Sequence, residues 1–169
     1  DGAYVLTILP FPEYSTLPSD TLLRKTMPTT SQPPEAKLPA FQRATLSNGL
    51  KIVLAERKSI PAVTMTMLFD AGYAADQFGL LGTANLAMNM MDEGTTTRTA
   101  LDISEELAQL GATLNTGSSL DVSMISMYAL KMNLDGSLNL FSDVILHPSF
   151  PQQDFERLQK LTISSIQRE

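Results

Sequence analysis

The stretch "GTANLAMNMMDEGT", residues 82–95, decides how the chain folds. Leu80 to Asp92 is almost wholly apolar and too long for a strand, so it reads as a buried helix that ends ahead of Gly94. Asn85 and Asn89 stand in its middle, four residues apart. That spacing puts both carboxamides on one helical face, with Met88 beside them. Buried amides need hydrogen-bond partners. On residues alone, this face is expected to lie against a sheet, with the two amides bonded to neighbouring strands or to buried water.

The flanks supply the sheet. "AVTMTMLFDAG", residues 62–72, alternates, so Val63, Met65, Met67 and Phe69 share the face of a strand. "FQRATLSNGLKIVLAE", residues 41–56, reads as two strands around Asn48-Gly49, a strong hairpin signal. Downstream, Thr99 and Asp102 have the spacing of a capping box. The helix they open carries a core stripe of Ile103, Leu107 and Leu110 and stops at Gly111.

"ATLNTGSSLDVSMISMYALKM", residues 112–132, returns to strands, broken near Gly117 to Ser119. "DGSLNLFSDVILHP" is a third helix, expected to bury Leu138, Phe141 and Ile145 and to end at His147-Pro148. "SFPQQDFERLQKLTISSIQRE" is a fourth, with Pro151 near its first turn. Strands, two helices, strands and two helices make an α+β fold: an antiparallel sheet with helices packed on one face.

Composition excludes several function classes. The chain has 169 residues, 43% hydrophobic and 18% charged, with a formal net charge of -6. It has no basic run or arginine stripe, so nucleic acid is not an expected partner. No window has the roughly 18 continuous apolar residues of a membrane span. Cysteine is absent, which removes disulfides, thiolate metal sites and a cysteine nucleophile. The only histidine, His147, has no nucleophile motif with it and reads as a helix-end residue. Asp92 and Glu93 are adjacent, point apart on a helix, and read as a solvated end rather than a metal pair. The nine methionines read mostly as core filler, and "GTTTRT" as a loop without a phosphate-binding pattern.

Before Phe41 the character changes. Residues 1–14, from the strand-like Ala3 to Leu9, read as the terminal strand of a preceding domain. Residues 15–40, rich in Pro, Ser and Thr, read as a linker in extended conformation. Residues 41–169 read as a truncated domain, the chain as a whole as a fragment of a longer protein.

Four segments in this order and spacing resemble the pitrilysin-type zinc metallopeptidases, the inverzincins. They are "LSNGLKIVLAERKSIPAV", "FDAGYAADQFGLLGTANLAMNMMDEGT", "ISEELAQLGATLNTGSSLDVSMISMYALK" and "LFSDVILHPSFPQQDFERLQK". The resemblance implies the fold of the mitochondrial processing peptidase, here incomplete. Active members carry H-x-x-E-H in the first helix. Its two His hold zinc, its Glu activates the bound water, and a Glu on a later helix is the third protein ligand.

The matching positions here are Asn85, Met88 and Asn89, with Ser165 at the later position in an ungapped alignment. Amide oxygens are poor zinc ligands and a thioether accepts no proton. The resemblance therefore implies a degenerate site, with no catalytic residue, no metal and no cofactor in this chain. It implies a non-catalytic half of a two-part zinc metalloendopeptidase that forms part of a peptide-binding chamber. Zinc is expected only in a partner half, in the same polypeptide or a partner subunit, with peptide as substrate and the periplasm as compartment. The alternative is a purely structural subunit, as inactive relatives are in respiratory complex III.

Overall fold

The computed structural model describes residues 39–168. The strand expected within residues 1–14 and nearly all of the linker expected over residues 15–40 lie outside them. The chain divides into two units after Ala55. The described part of the first is a hairpin of β1 (Phe41–Thr45) and β2 (Lys51–Ala55), paired antiparallel from Phe41 opposite Ala55 to Thr45 opposite Lys51. Gly49, at φ 88°, takes the left-handed conformation the turn requires, and Asn48 Oδ1 accepts from the Leu50 N–H at 3.1 Å.

The second unit is built on a three-stranded antiparallel sheet in the order β3 (Ala62–Phe69), β5 (Ser123–Leu130), β4 (Thr113–Ser118). Val63, Met65, Met67 and Phe69 share the more buried face of β3, as their alternation predicts. Central β5 turns Ser123, Ile125, Met127 and Ala129 inward, with Ile125 and Met127 fully buried. Four helices complete the unit: α1 (Thr83–Asn89), α2 (Ala100–Leu110), α3 (Leu134–Leu146) and α4 (Gln152–Ile166). The core joins Ile125 and Met127 to Met88 and Met91, to Ile103 of α2, and to Leu140, Phe141 and Val144 of α3. Helices thus cover one face of an antiparallel sheet, the α+β arrangement the sequence implies.

Two sequence expectations hold in atomic detail. Thr99 Oγ1 accepts from the Asp102 N–H at 3.2 Å, and Asp102 Oδ2 accepts from the Thr99 N–H at 2.8 Å, closing the capping box of α2. The helix ends at Gly111 in the left-handed conformation, φ 62°.

Others are corrected. The first helix spans Thr83–Asn89, not Leu80 to Asp92; Leu80 and Leu81 precede it and are exposed. An apolar run marks burial or a covered face, and cannot by itself fix helix length. On α3 the buried positions are Ser137, Leu140, Phe141, Asp143 and Val144, while Leu138 is 43% exposed. The buried stripe is rotated from the expected one because it includes two polar residues that hydropathy counts as solvent-facing.

Gly72 ties the sheet to the loop that enters β5. Its N–H donates to the Asp121 carbonyl at 3.1 Å, and the N–H groups of Tyr73 and Ala74 bond the Ser119 and Leu120 carbonyls. A Cβ on Gly72 would lie 2.3 Å from the Leu120 oxygen and 2.5 Å from the Val122 nitrogen, both backbone atoms. Gly72→Ala is therefore expected to cost about 1–3 kcal/mol, the usual range for overpacking. Urea denaturation checks this: an unchanged midpoint would show that the two segments separate freely.

Candidate functional site

The start of α1 is set by an acidic side chain from outside the helix. Asp76 is buried in a 3-10 turn, Tyr73–Phe78. Its Oδ2 accepts from the Gly82 N–H at 3.0 Å and its Oδ1 from the Ala84 N–H at 3.2 Å. The carboxylate satisfies donors that a helix start leaves without intrahelical partners, and its charge favours the positive end of the helix. Gly82, at φ 92°, lets the chain turn into the helix there.

Along α1 the expected face splits in two. Met88 is 7% exposed and belongs to the core. Asn85 and Asn89 are exposed. The expectation that both amides are buried against strands is corrected: on this short helix Met88 is the buried residue and the two amides are exposed. Neither amide has a side-chain hydrogen bond to another described residue, a state that costs little where water reaches them.

Asn85 and Asn89 instead line a groove of about 810 Å³ between α1 and α4. Leu86, Met90, Phe155, Ile163 and Ile166 make its walls largely apolar. Ser165 is exposed on α4 but does not line the groove, whereas Thr162, Ile163 and Ile166 around it do. Phe150, at the groove's edge, is the one non-glycine among the described residues with positive φ, at 46°. Such a backbone state in a bulky residue costs on the order of 1–3 kcal/mol and persists only where the surroundings impose it. Here Pro151 follows immediately, and the Ser149 N–H is held by the Gly94 carbonyl at 3.0 Å.

The same unit holds a polar network that local sequence patterns do not reveal. Asp143 of α3 accepts from Thr95 Oγ1 at 2.7 Å, Thr97 Oγ1 at 3.1 Å and Arg98 Nη1 at 2.7 Å, and its other oxygen lies 3.0 Å from His147 Nδ1. The Thr95 hydroxyl leads, against the opposing effect of desolvation, and with Arg98, His147 and Thr97 it lowers the Asp143 carboxyl from 3.8 to about 2. Arg98 also donates from Nε to Glu106 Oε2 at 2.7 Å. "GTTTRT" is thus more than a loop: it pins α3 to the start of α2. His147 is the α3 C-cap, as a helix-end residue should be, and Asp143 is its partner.

Of the adjacent acids, Asp92 is exposed, but Glu93 is mostly covered and pairs with Arg157 Nη2 at 2.6 Å. The expectation of two solvated carboxylates is corrected for Glu93, because α4 brings a cation over it from 64 residues away.

The zinc that the resemblance implies for active members finds no fitting donors here. Two exposed carboxamides, a thioether turned into the core and a hydroxyl outside the groove do not make a nitrogen, sulfur or carboxylate ligand set. Among the described residues, no three His, Cys, Asp or Glu side chains converge as metal ligands. No helix among them is long and apolar enough to cross a membrane.

Comparison with known proteins places this geometry in a family. Residues 51–168 match the profile of Insulinase (Peptidase family M16). The probable mitochondrial-processing peptidase subunit beta of Arabidopsis thaliana is 26% identical over 129 residues, covering 76% of this chain and 24% of that protein. An uncharacterized zinc protease of Rickettsia felis is 24% identical over 126 residues, covering 75% of this chain and 31% of that protein. The crystal structure of a peptidase M16 inactive domain from Pseudomonas fluorescens superposes with a TM-score of 0.71 at 24% identity, covering 76% of this chain and 31% of that one. The chain therefore spans about a quarter to a third of the length of these proteins. The match extends over most of the chain and through the whole sheet-and-helix unit, so the protein belongs to the insulinase family, peptidase family M16.

Proposed function

We propose that this chain is the non-catalytic, zinc-free half of a two-part zinc metalloendopeptidase and forms part of the chamber that holds the peptide. The catalytic half lies in the same polypeptide or in a partner subunit. One observation carries the reading: where active members place two zinc-binding imidazoles, Asn85 and Asn89 present carboxamides to an open groove, and Met88 at the position of the general base is core. The inactive-domain description of the Pseudomonas fluorescens neighbour agrees with it. The proposed compartment is the periplasm, the address implied by the bacterial members the sequence resembles.

Metal analysis of the purified chain after dialysis tests the reading. Zinc is expected well below one equivalent per chain, with no peptide hydrolysis in the absence of a zinc-bearing half. Stoichiometric, chelator-sensitive zinc that disappears in Asn85→Leu would overturn it. Cleavage by the zinc-bearing half should rise when this chain is added. An unchanged rate would favour a purely structural subunit.

A further inference from the structure

We propose that Asn48 is a site of spontaneous covalent modification: the Gly49 backbone nitrogen closes a succinimide on the Asn48 side chain, and water opens the ring to aspartate and isoaspartate. The proposal does not depend on the peptidase reading.

The sequence supplies the reactive step. Of the asparagines, only Asn48 precedes glycine; Asn85, Asn89, Asn115, Asn133 and Asn139 precede Leu, Met, Thr, Leu and Leu. Those side chains crowd the backbone nitrogen that would have to attack. The structure leaves the Asn48 step open. Asn48 and Gly49 are exposed, so water reaches both. A Cβ built on Gly49 would meet nothing within 4 Å, so no neighbour obstructs the ring.

Two hydrogen bonds restrain the reaction. The Gly49 N–H donates to the Leu46 carbonyl at 2.9 Å, and Asn48 Oδ1 accepts from the Leu50 N–H at 3.1 Å. Both must open before the nitrogen can lose its proton and reach Cγ. Little else holds them. Among the described residues β1 and β2 pair only with each other, and every residue of both is exposed. A two-stranded hairpin is marginally stable, and such a segment opens far more often than a core does.

Asp135-Gly136 is the contrasting case. It lies in the first turn of α3, and a Cβ on Gly136 would sit 2.9 Å from Leu110 Cδ2. A helical backbone fixes ψ near −42°, far from the rotation a five-membered ring requires. Packing against α2 keeps it there.

The atoms balance with water alone. The Gly49 nitrogen gives its proton to solvent hydroxide and its electron pair to Asn48 Cγ; the Cγ–Nδ2 bond breaks and ammonia leaves. Water then cleaves one of the two ring C–N bonds. Cleavage at Cγ gives aspartate. Cleavage at the main-chain carbonyl carbon gives isoaspartate, whose chain runs through Cβ and Cγ. Either product makes the net charge of -6 one unit more negative. Isoaspartate also adds a backbone atom to the turn. The register from Thr45 opposite Lys51 to Phe41 opposite Ala55 depends on the length of that turn. The isoaspartate form should therefore lose the pairing, and the aspartate form should keep it.

The test incubates the full chain at mildly alkaline pH beside the peptide ATLSNGLKI, residues 44–52. Peptide mapping by mass spectrometry and labelling by an isoaspartate methyltransferase read the products. Asn48 is expected to convert on the order of tenfold more slowly than the peptide, because two hydrogen bonds open first. In urea it should reach the peptide's rate. Asp135 and the other asparagines should stay intact over the same interval. Asn48→Gln, which would need a six-membered ring, should not be labelled at that position. Amide exchange should show β1 and β2 unprotected in the purified isoaspartate form. A rate roughly a thousandfold or more below the peptide's, as core-like protection would give, would overturn the proposal. So would equal conversion at Asp135, equal labelling of the Asn48→Gln protein, or full protection of the hairpin in the isoaspartate form.

Discussion

Asp143→Ala is expected to lower the stability of the second unit by about 3 kcal/mol, at the low end of what removing one partner of a buried ion pair costs. The side chain is 11% exposed and receives hydrogen bonds from two threonine hydroxyls and the Arg98 guanidinium, with His147 against its other oxygen. Its removal leaves Arg98 facing a cavity with only Glu106 and Asn139 as partners. The same carboxylate makes stability depend on pH. Its folded value of about 2 lies below the ordinary carboxyl value of 3.8. The Asp143 contribution is therefore fully present above about pH 4 and is lost as pH falls towards 2, an amount on the order of 2 kcal/mol. Urea midpoints measured between pH 6 and 2 check both statements. The variant should lack the part of the acid destabilisation that Asp143 provides, and equal acid sensitivity in both proteins would show that the network is dispensable.

Met88→Glu should be at least as damaging. Met88 is 7% exposed and packs with Met91, Ile103, Ile125 and Leu140 in the core. A carboxyl group there has no donor waiting, and burying it costs several kcal/mol unless metal or protein donors compensate. Met88→Leu keeps the apolar character and close to the volume, and should cost less than about 1.5 kcal/mol. The contrast between the two isolates polarity from packing.

It also bears on whether the peptidase motif can be rebuilt. Asn85→His, Met88→Glu and Asn89→His combined with Ser165→Glu supply the right ligand types. Yet the Glu at 88 must leave the core to reach the groove, and position 165 lies outside the groove lining. Productive cleavage further needs the peptide held in near-attack geometry, which in the proposed assembly the opposing half helps to supply. The quadruple variant is expected to take up metal at most and to hydrolyse nothing. Chelator-abolished cleavage of an unstructured peptide by that variant alone would show that the opposing half is unnecessary.

The sequence by itself determined the elements whose signals are local. The Asn48-Gly49 turn, the alternation from Val63 to Phe69, the Thr99–Asp102 capping box and Gly111 all act through backbone conformation or bonds within a few residues. Each is found where the sequence places it. The family followed from the order and spacing of four such segments, which also marked Asn85, Met88 and Asn89.

Only the tertiary structure decided which way those residues face. A four-residue spacing puts Asn85 and Asn89 on one side of a helix but does not say whether the sheet or a groove lies there; the packing of Met88 settled it. Long-range partners were equally hidden. Arg98 and Asp143 are 45 residues apart, Glu93 and Arg157 are 64 apart, and Asp76 caps a helix that begins seven residues later. No periodicity encodes such pairs, because a hydrogen bond between distant residues exists only once packing has paid the entropy of bringing their backbones together.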